Sequence, residues 1–363
     1  MSIRIATFNC ENLFRRPVVF GSGNDPIRDA VLVDFRKLVD ILERDAYTAN
    51  GKTKIIELLK KHSVDVSKDI STQTIQLNQP RGQAKLLKGV GQDIEVRPEV
   101  TGRSSWVGWA ELAKGDLGWD AVTNTARVIA EVNADILLTV EVEDRLTLHR
   151  FNEQILAGQL DAEPYPYNML IDGNDIRGID VGLFSRYPIT SVRSHIFDKK
   201  GNLVVFSRDC PEFEIDIKGK PLWLLGNHFK SKLGGGEEKR KLQGDRVAEL
   251  YEAALKRSAH VVVAGDLNDF PGSPPLAVLE ATSLKDAMTH DSYQDELPGT
   301  HGTCTSLRDK IDYLMLSPKL FTKVSKVEVE RRGISEFSSP FPEVTGPENQ
   351  ASDHAAVVAE LDL

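Results

Sequence analysis

The 363-residue sequence predicts an α/β fold. Three observations carry that reading. Apolar runs of strand length alternate with longer segments of helical period; several runs are apolar enough to be buried on both faces; and many end in Asn, Asp, Glu or His. Residues 261–270, V-V-V-A-G-D-L-N-D-F, show the pattern most sharply. A β-branched run bounded by a turn signal reads as a strand covered on both sides. Gly265 lets the backbone turn where a Cβ would crowd it. Asp266 and Asn268 then project from the strand's C-terminal edge, where α/β sheets keep their ligands. A carboxylate that can hold a metal ion or a water, beside an amide that can donate to a phosphoryl oxygen, suits phosphate-ester chemistry. A capped turn would use the same two residues.

Composition bounds the rest. Apolar and charged fractions are those of a soluble protein, and no apolar run approaches a membrane span. The chain enters its first strand without a charged-then-apolar leader, and its three cysteines, Cys10, Cys210 and Cys304, are far apart and odd in number. No disulfide framework follows, and a reducing cytoplasm is the expected compartment. The net charge of −9 argues against a general nucleic-acid coat but leaves room for a local basic groove.

In chain order, residues 3–8 alternate as a first strand that stops at Asn9-Cys10-Glu11-Asn12, where an Asx-turn or helix cap is the competing reading. Val31, Phe35, Leu38, Val39 and Leu42 give residues 26–48 a helical period, and residues 53–62 repeat it with a lysine-rich face. Residues 74–78 and 93–97 alternate as strands and read, with the Gly/Pro turns between them, as an excursion of hairpins. Residues 50–104 hold ten Lys/Arg against six Asp/Glu, so this insert is basic in an acidic chain. It reads either as a solvated face or as a polyanion-facing surface.

Residues 124–132 are helical in spacing and lead into D-I-L-L-T-V-E, a buried strand ending in Glu141; Glu143 and Asp144 follow, three acids that call for a shared cation. Residues 178–189 form a strand closed by a Pro turn. Residues 222–229 form another, with His228 at its exit and a flexible loop at 234–241. A lone histidine in such a place is often structural. Residues 243–256 return to helix, residues 276–280 form a short one, and strands at 310–316 and 355–361 carry Asp312, Asp353 and His354 at their ends. Both halves supply strands ending in polar residues. Splitting the chain would divide that set, so a single domain over 1–363 with the basic insert is expected.

Seven pieces, T-F-N-C-E-N-L, D-I-L-L-T-V-E-V, G-L-F-S-R-Y-P-I, G-N-H-F-K-S-K, G-D-L-N-D, K-I-D-Y-L and S-D-H, run in order along the whole chain. In them the sequence resembles the endonuclease/exonuclease/phosphatase superfamily, which includes DNase-I-like nucleases, apurinic endonucleases, inositol polyphosphate 5-phosphatases and neutral sphingomyelinases. The resemblance implies a four-layer α/β sandwich, two packed mixed sheets flanked by helices, with the site at one rim. It implies Glu141 as the main Mg²⁺ or Mn²⁺ ligand with Asn9 beside it and Asp353 near the metal. It also implies an Asp312–His354 pair, Asp266 on the attacking water, and Asn268 and His228 on the phosphate. Lys230 and Arg177 are the expected substrate-binding cations. Members that only bind lose these positions, and here each is filled, so an enzyme is expected.

The chain departs from the family pattern at Val140, where a Gln usually precedes the Glu, and after G-D-L-N, where the inositol phosphatases' Arg is absent. N-H-F-K-S-K looks like the corresponding segment of secreted bacterial nucleases and points to a bacterial nuclease-like member. The expected function is therefore a metal-dependent nuclease on DNA or RNA, with a phosphoesterase on a small metabolite or lipid head group as the alternative.

Overall fold

The computed structural model describes residues 2–13, 15–17, 25–62, 74–116, 118–175, 177–232 and 235–363. Gly234 of the expected loop and residues 63–73 of the expected insert lie outside them. The chain divides into two compact units, Met1–Phe14 with Leu117–Leu363, and Arg15–Asp116.

The larger unit holds two six-stranded sheets. Its strands are β1 (Ser2–Leu13), β2 (Ile136–Val142), β3 (Tyr167–Leu170), β4 (Asp180–Ser185), β5 (Ile189–Arg193) and β6 (Glu212–Ile217). β7 (Lys220–His228), β8 (Val261–Asp266), β9 (Lys285–Asp286), β10 (Asp312–Leu316), β11 (Val324–Glu330) and β12 (Ala356–Asp362) complete the set. The sheet orders are β11-β12-β1-β2-β4-β3 and β5-β6-β7-β8-β10-β9. Each sheet centres on one parallel pair, β1 with β2 and β7 with β8. Antiparallel neighbours flank both pairs, β12 and β4 in the first sheet and β6 and β10 in the second.

Side-chain alternation explains the layering. Ile136, Leu138 and Val140 of β2 share one buried cluster with Val262 and Ala264 of β8 and Leu314 and Leu316 of β10, which fills the space between the sheets. The opposite faces take helices. Ala6 and Phe8 pack with Val122, Ala126 and Ile129 of the helix Trp119–Val132. Val261, Val263, Tyr313 and Met315 pack with Val247, Leu250 and Tyr251 of Glu237–Leu255. The result is helix, sheet, sheet, helix. Each such aliphatic side chain, fully buried, contributes about 1.5–3 kcal/mol.

The smaller unit has its own core around Phe35, Leu38, Ile55, Leu59, Ile75, Leu86 and Trp106. The helix expected over 26–48 spans Asp25–Leu42, because the Tyr47 N–H turns to the Thr101 carbonyl and Thr48 caps the next helix, Ala49–Lys61. The expected hairpins are rearranged. Ile75–Asn78 pairs with Trp109–Leu112, and only Leu87–Lys88 and Glu95–Val96 pair within the excursion.

In the larger unit the helix expected from residue 243 begins at Glu237, so residues 237–241 are its first turn and not loop. β3, β5, β6, β9 and β11 were not expected. β11 reads V-S-K-V-E-V-E, with too few apolar residues to register as a buried strand. Among the described residues no helix is long and apolar enough to cross a membrane. All three cysteines are buried, and none forms a disulfide among the described residues.

Candidate active site

The two parallel strand pairs end at one rim, and polar residues toward their C-terminal ends converge. β1 supplies Asn9, β2 supplies Glu141, β7 supplies His228 and β8 supplies Asp266; Asp312 opens β10 antiparallel to β8, and His354 precedes β12. Gly265 is required: its φ is 126°, and a Cβ there would lie 1.9 Å from the Asn227 carbonyl oxygen. Glu141 (φ 63°) and Asn268 (φ 51°) both adopt the left-handed region that non-glycine residues avoid. Glu141 sits where the register of β2 slips against β1 and β4, so a bulge turns its carboxylate toward the rim. Backbone strain of this kind persists where surrounding structure enforces it, commonly at sites.

Asp266 is the hub. Its Oδ1 accepts from the Asn268 N–H at 2.8 Å, and its Oδ2 accepts from Asn268 Nδ2 at 2.9 Å and Asn9 Nδ2 at 3.2 Å. Burial, and then the neighbouring Asp312 charge, push its pKa up to about 7. A carboxylate poised there suits proton abstraction at neutral pH. The second Asn268 Nδ2 proton goes to the Phe229 carbonyl at 3.1 Å, so this amide is engaged in holding Asp266.

Asp312 Oδ2 lies 2.8 Å from His354 Nδ1. Burial works against the charged imidazole, but Asp312 and Asp353 outweigh it and hold His354 well above its usual range. His228 goes the other way: burial, then the cations Arg208 and Arg177, push it well below, so it is neutral. Its Nε2 stands 3.6 Å from Glu141 Oε1 and 3.7 Å from Asp266 Oδ2.

Burial raises the pKa of Glu141, with Arg177 opposing. A desolvated carboxylate of this kind needs a compensating positive charge, and a hard divalent cation meets that need. Asp266, Asp312 and His354 also offer ligand atoms within 4.8 Å of one another. The donor set fits Mg²⁺ or Mn²⁺.

Other expectations are redirected. Asp144 does not join Glu141; it caps the helix Arg145–Arg150, accepting from the Thr147 N–H at 2.6 Å. Arg177 grips Asp175 through Nε and Nη2, at 3.0 and 2.8 Å. Lys230 is partly exposed, its N–H donating to Gln243 Oε1 at 3.0 Å. Arg240, in the loop expected at 234–241, is buried against Asp269 with Nε–Oδ2 at 2.8 Å, and its Nη1 donates to the carbonyls of Lys230, Ser231 and Gly235. It braces the loop after His228.

Three residues of the site escaped the sequence reading. Arg208 is 1% exposed; its Nη1 donates to the Phe229 carbonyl and its Nε lies 2.7 Å from Asp175 Oδ2. Thr300, fully buried, donates its hydroxyl to Asp312 Oδ2 at 2.8 Å and accepts from the Ile311 and Asp312 N–H groups at 3.1 Å. His301 faces Asp353. Only the G-T-H-G string marks the last two, and it looks like an ordinary turn.

Comparison with known proteins shows the family and the fold. A sequence family described as "Endonuclease/Exonuclease/phosphatase family" matches residues 117–354. A Drosophila melanogaster protein named as a candidate neutral sphingomyelinase is 26% identical over 203 residues, 52% of this chain and 45% of that protein. The chain thus spans about half the length of that relative. Among solved structures, the Bacteroides thetaiotaomicron mannosyl-6-phosphatase aligns with a TM-score of 0.50 at 17% identity, covering 67% of this chain and 91% of that one. The human Nocturnin catalytic domain aligns at 0.47 and 17%, covering 68% and 87%.

Proposed function

The chain belongs to the endonuclease/exonuclease/phosphatase family, whose members hydrolyse phosphate esters, and on that footing we propose that it is a metal-dependent phosphodiesterase acting on nucleic acid. The observation that carries the reading is the convergence of Asn9, Glu141, His228, Asp266, Asp312 and His354 at one rim, with the Asp312–His354 bond at 2.8 Å. A bound Mg²⁺ held by Glu141, with Asn9 beside it, would offset phosphoryl charge as a Lewis acid. Asp266 takes a proton from water as the water oxygen attacks phosphorus, and the ester P–O bond on the opposite side breaks, its electron pair leaving with the ester oxygen, which takes up a proton from solvent to depart as the alcohol. His354, held cationic by Asp312, faces the charge that builds on the phosphoryl oxygens. Asn9 and Asn268 keep Asp266 oriented.

Nucleic acid is favoured by a patch two residues beyond Asn268. Lys232 Nζ lies 5.1 Å and the Arg308 guanidinium carbon 5.5 Å from the Phe270 ring centroid. An aromatic ring flanked by cations suits a stacked base beside its phosphates. A lipid head group is the second reading, favoured by the named relative and by Phe197 and Leu203, which are 83% and 67% exposed beside Lys199 and Lys200. Plasmid, single-stranded DNA, RNA and sphingomyelin vesicles, each with Mg²⁺ or with EDTA, decide between them. Mg²⁺-dependent cleavage of a nucleic acid supports the proposal; hydrolysis of the lipid alone would overturn it in favour of the second reading.

A further inference from the structure

We propose that a cavity on the outer face of the second sheet binds a small organic monocation with an apolar body. The cavity has a volume of about 480 Å³ and is lined by β9, β10, the end of the helix Pro274–Glu280 and side chains from residues 288–298. None of the residues gathered at the catalytic rim lines it. Small-molecule sites commonly enclose about 300–1,000 Å³ within mostly apolar walls that carry a few polar groups. Here Leu284 and Met315, both buried, form the wall with Met288, Tyr293, Tyr313 and Leu307.

Hydrogen bonds fix that wall. Arg331, 2% exposed, donates through Nη2 to the Tyr293 hydroxyl at 2.9 Å and the Leu297 carbonyl at 2.8 Å, and through Nε to the Gly299 carbonyl at 3.1 Å. The Tyr313 hydroxyl donates to the Asp269 carbonyl at 3.0 Å. A cavity held open in this way needs little ordering when a ligand enters.

Charge decides the class of ligand. Four acids line the cavity, Glu280, Asp286, Asp295 and Glu296, against Lys285 and Lys310. Lys310, 3% exposed, is already matched: its Nζ lies 3.1 Å from Asp286 Oδ2 and 4.2 Å from the Tyr313 ring centroid. Asp295 pairs with Arg331. Glu280, which accepts from the neutral Gly272 N–H, and Glu296 then stand against Lys285 alone, a balance that one positive charge completes. The field has the same sign at Tyr313, where burial, and then the charges of Asp286 and Glu280, hold the hydroxyl well above its usual range. The seat of Lys310 shows what such a wall favours, an ammonium against an aromatic face beside a carboxylate. A phosphate or carboxylate ligand would meet excess negative charge. A bare metal ion has no seat either, because among the described residues the groups close enough to share one lie elsewhere. An apolar body with one cationic group satisfies both wall and charge.

Binding here does not depend on phosphoester chemistry, so the test uses the full chain without nucleic acid. Two fluorescent probes are titrated at physiological salt: auramine O, a compact diaryl cation, and anilinonaphthalene sulfonate, an apolar anion. Auramine O emission should rise and saturate at a single equivalent, with the sulfonate at least about tenfold weaker. Glu280→Gln/Glu296→Gln should weaken auramine O about tenfold, and Thr289→Trp, which fills the cavity from an exposed position, at least as much. Thermal melts confirm folding. Leu307→Ala, at a residue 52% exposed, should weaken the probe about fivefold and stands in for Thr289→Trp if that variant melts early. Glu141→Gln should bind auramine O as wild type does. No saturable rise, equal affinity for the sulfonate, cavity variants that match wild type, or a loss of binding in Glu141→Gln overturns the site.

Discussion

Thr300 has no reactive role, yet it sets the geometry of the residue that does. Its hydroxyl and His354 Nδ1 share Asp312 Oδ2, and Asp312 Oδ1 is buried without a hydrogen-bond partner among the described residues. Thr300→Val removes the hydroxyl while keeping the shape. Losing one such charged hydrogen bond costs about 1.5–3 kcal/mol, so kcat should fall roughly 10- to 100-fold with KM little changed, and Thr300→Ser should restore it. A loss that Ser fails to restore would show that the hydroxyl is not what matters. Asp180 offers a test of stability. Burial, with the charges of Asp172, Asp175 and Asp209, raises its pKa to about 7, although the Gly173 N–H opposes. The folded state then keeps a proton that the unfolded chain releases near pH 4, so the penalty is absent below about pH 4, grows to pH 7 and stays constant above. Asp180→Asn should raise unfolding free energy by about 1–3 kcal/mol at pH 8 and by almost nothing at pH 4. Urea titrations at the two pH values that show equal effects would contradict this. The sequence made Asp266 and Asp312 legible because each stands at the end of an apolar run. Thr300 and Arg208 stand in loops, and what marks them is a partner 12 or 33 residues away, which no local pattern encodes.

At the scale of elements, the parallel pairs β1/β2 and β7/β8 were readable because burial on both faces leaves an uninterrupted apolar run. β5 and β11 were not readable, since they are half-exposed strands. The helix Glu237–Leu255 was read six residues short because its first turn is E-E-K-R-K. That turn carries Arg240, whose side chain ties the loop after His228 to Asp269 of the Gly-Asp-Leu-Asn-Asp turn. Arg240→Met strands Asp269 as a buried charge, which costs about 3–5 kcal/mol. The double variant Arg240→Met/Asp269→Leu should recover a large part of that loss, as measured by thermal unfolding. A single variant as stable as wild type would mean the pair does not brace the turn.

For the whole molecule, the sequence carried the two-sheet sandwich through the order of its motifs, but the extent of the second compact unit, Arg15–Asp116, lies in contacts between weak, irregular segments. The basic character of residues 50–104 is partly spent within that unit: Lys88 pairs with Glu95, Arg97 with Glu99 and Arg103 with Glu43. On the proposed function, the cations beside Phe270 would then carry more of the phosphate contact. Lys232→Gln/Arg308→Gln should weaken DNA binding and flatten the plot of log K against log salt by about 0.7–0.9 per lost contact. An unchanged slope would remove the patch from the substrate path. The central claim, metal-supported water attack on a phosphodiester, is tested most directly by nitrophenol release from bis(nitrophenyl) phosphate and from nitrophenyl phosphate, with wild type and Glu141→Gln, in Mg²⁺ and in EDTA. The account predicts turnover of the diester over the monoester, abolished by EDTA and reduced about 10³-fold or more in Glu141→Gln. Turnover that survives EDTA, or that Glu141→Gln retains in full, would contradict it.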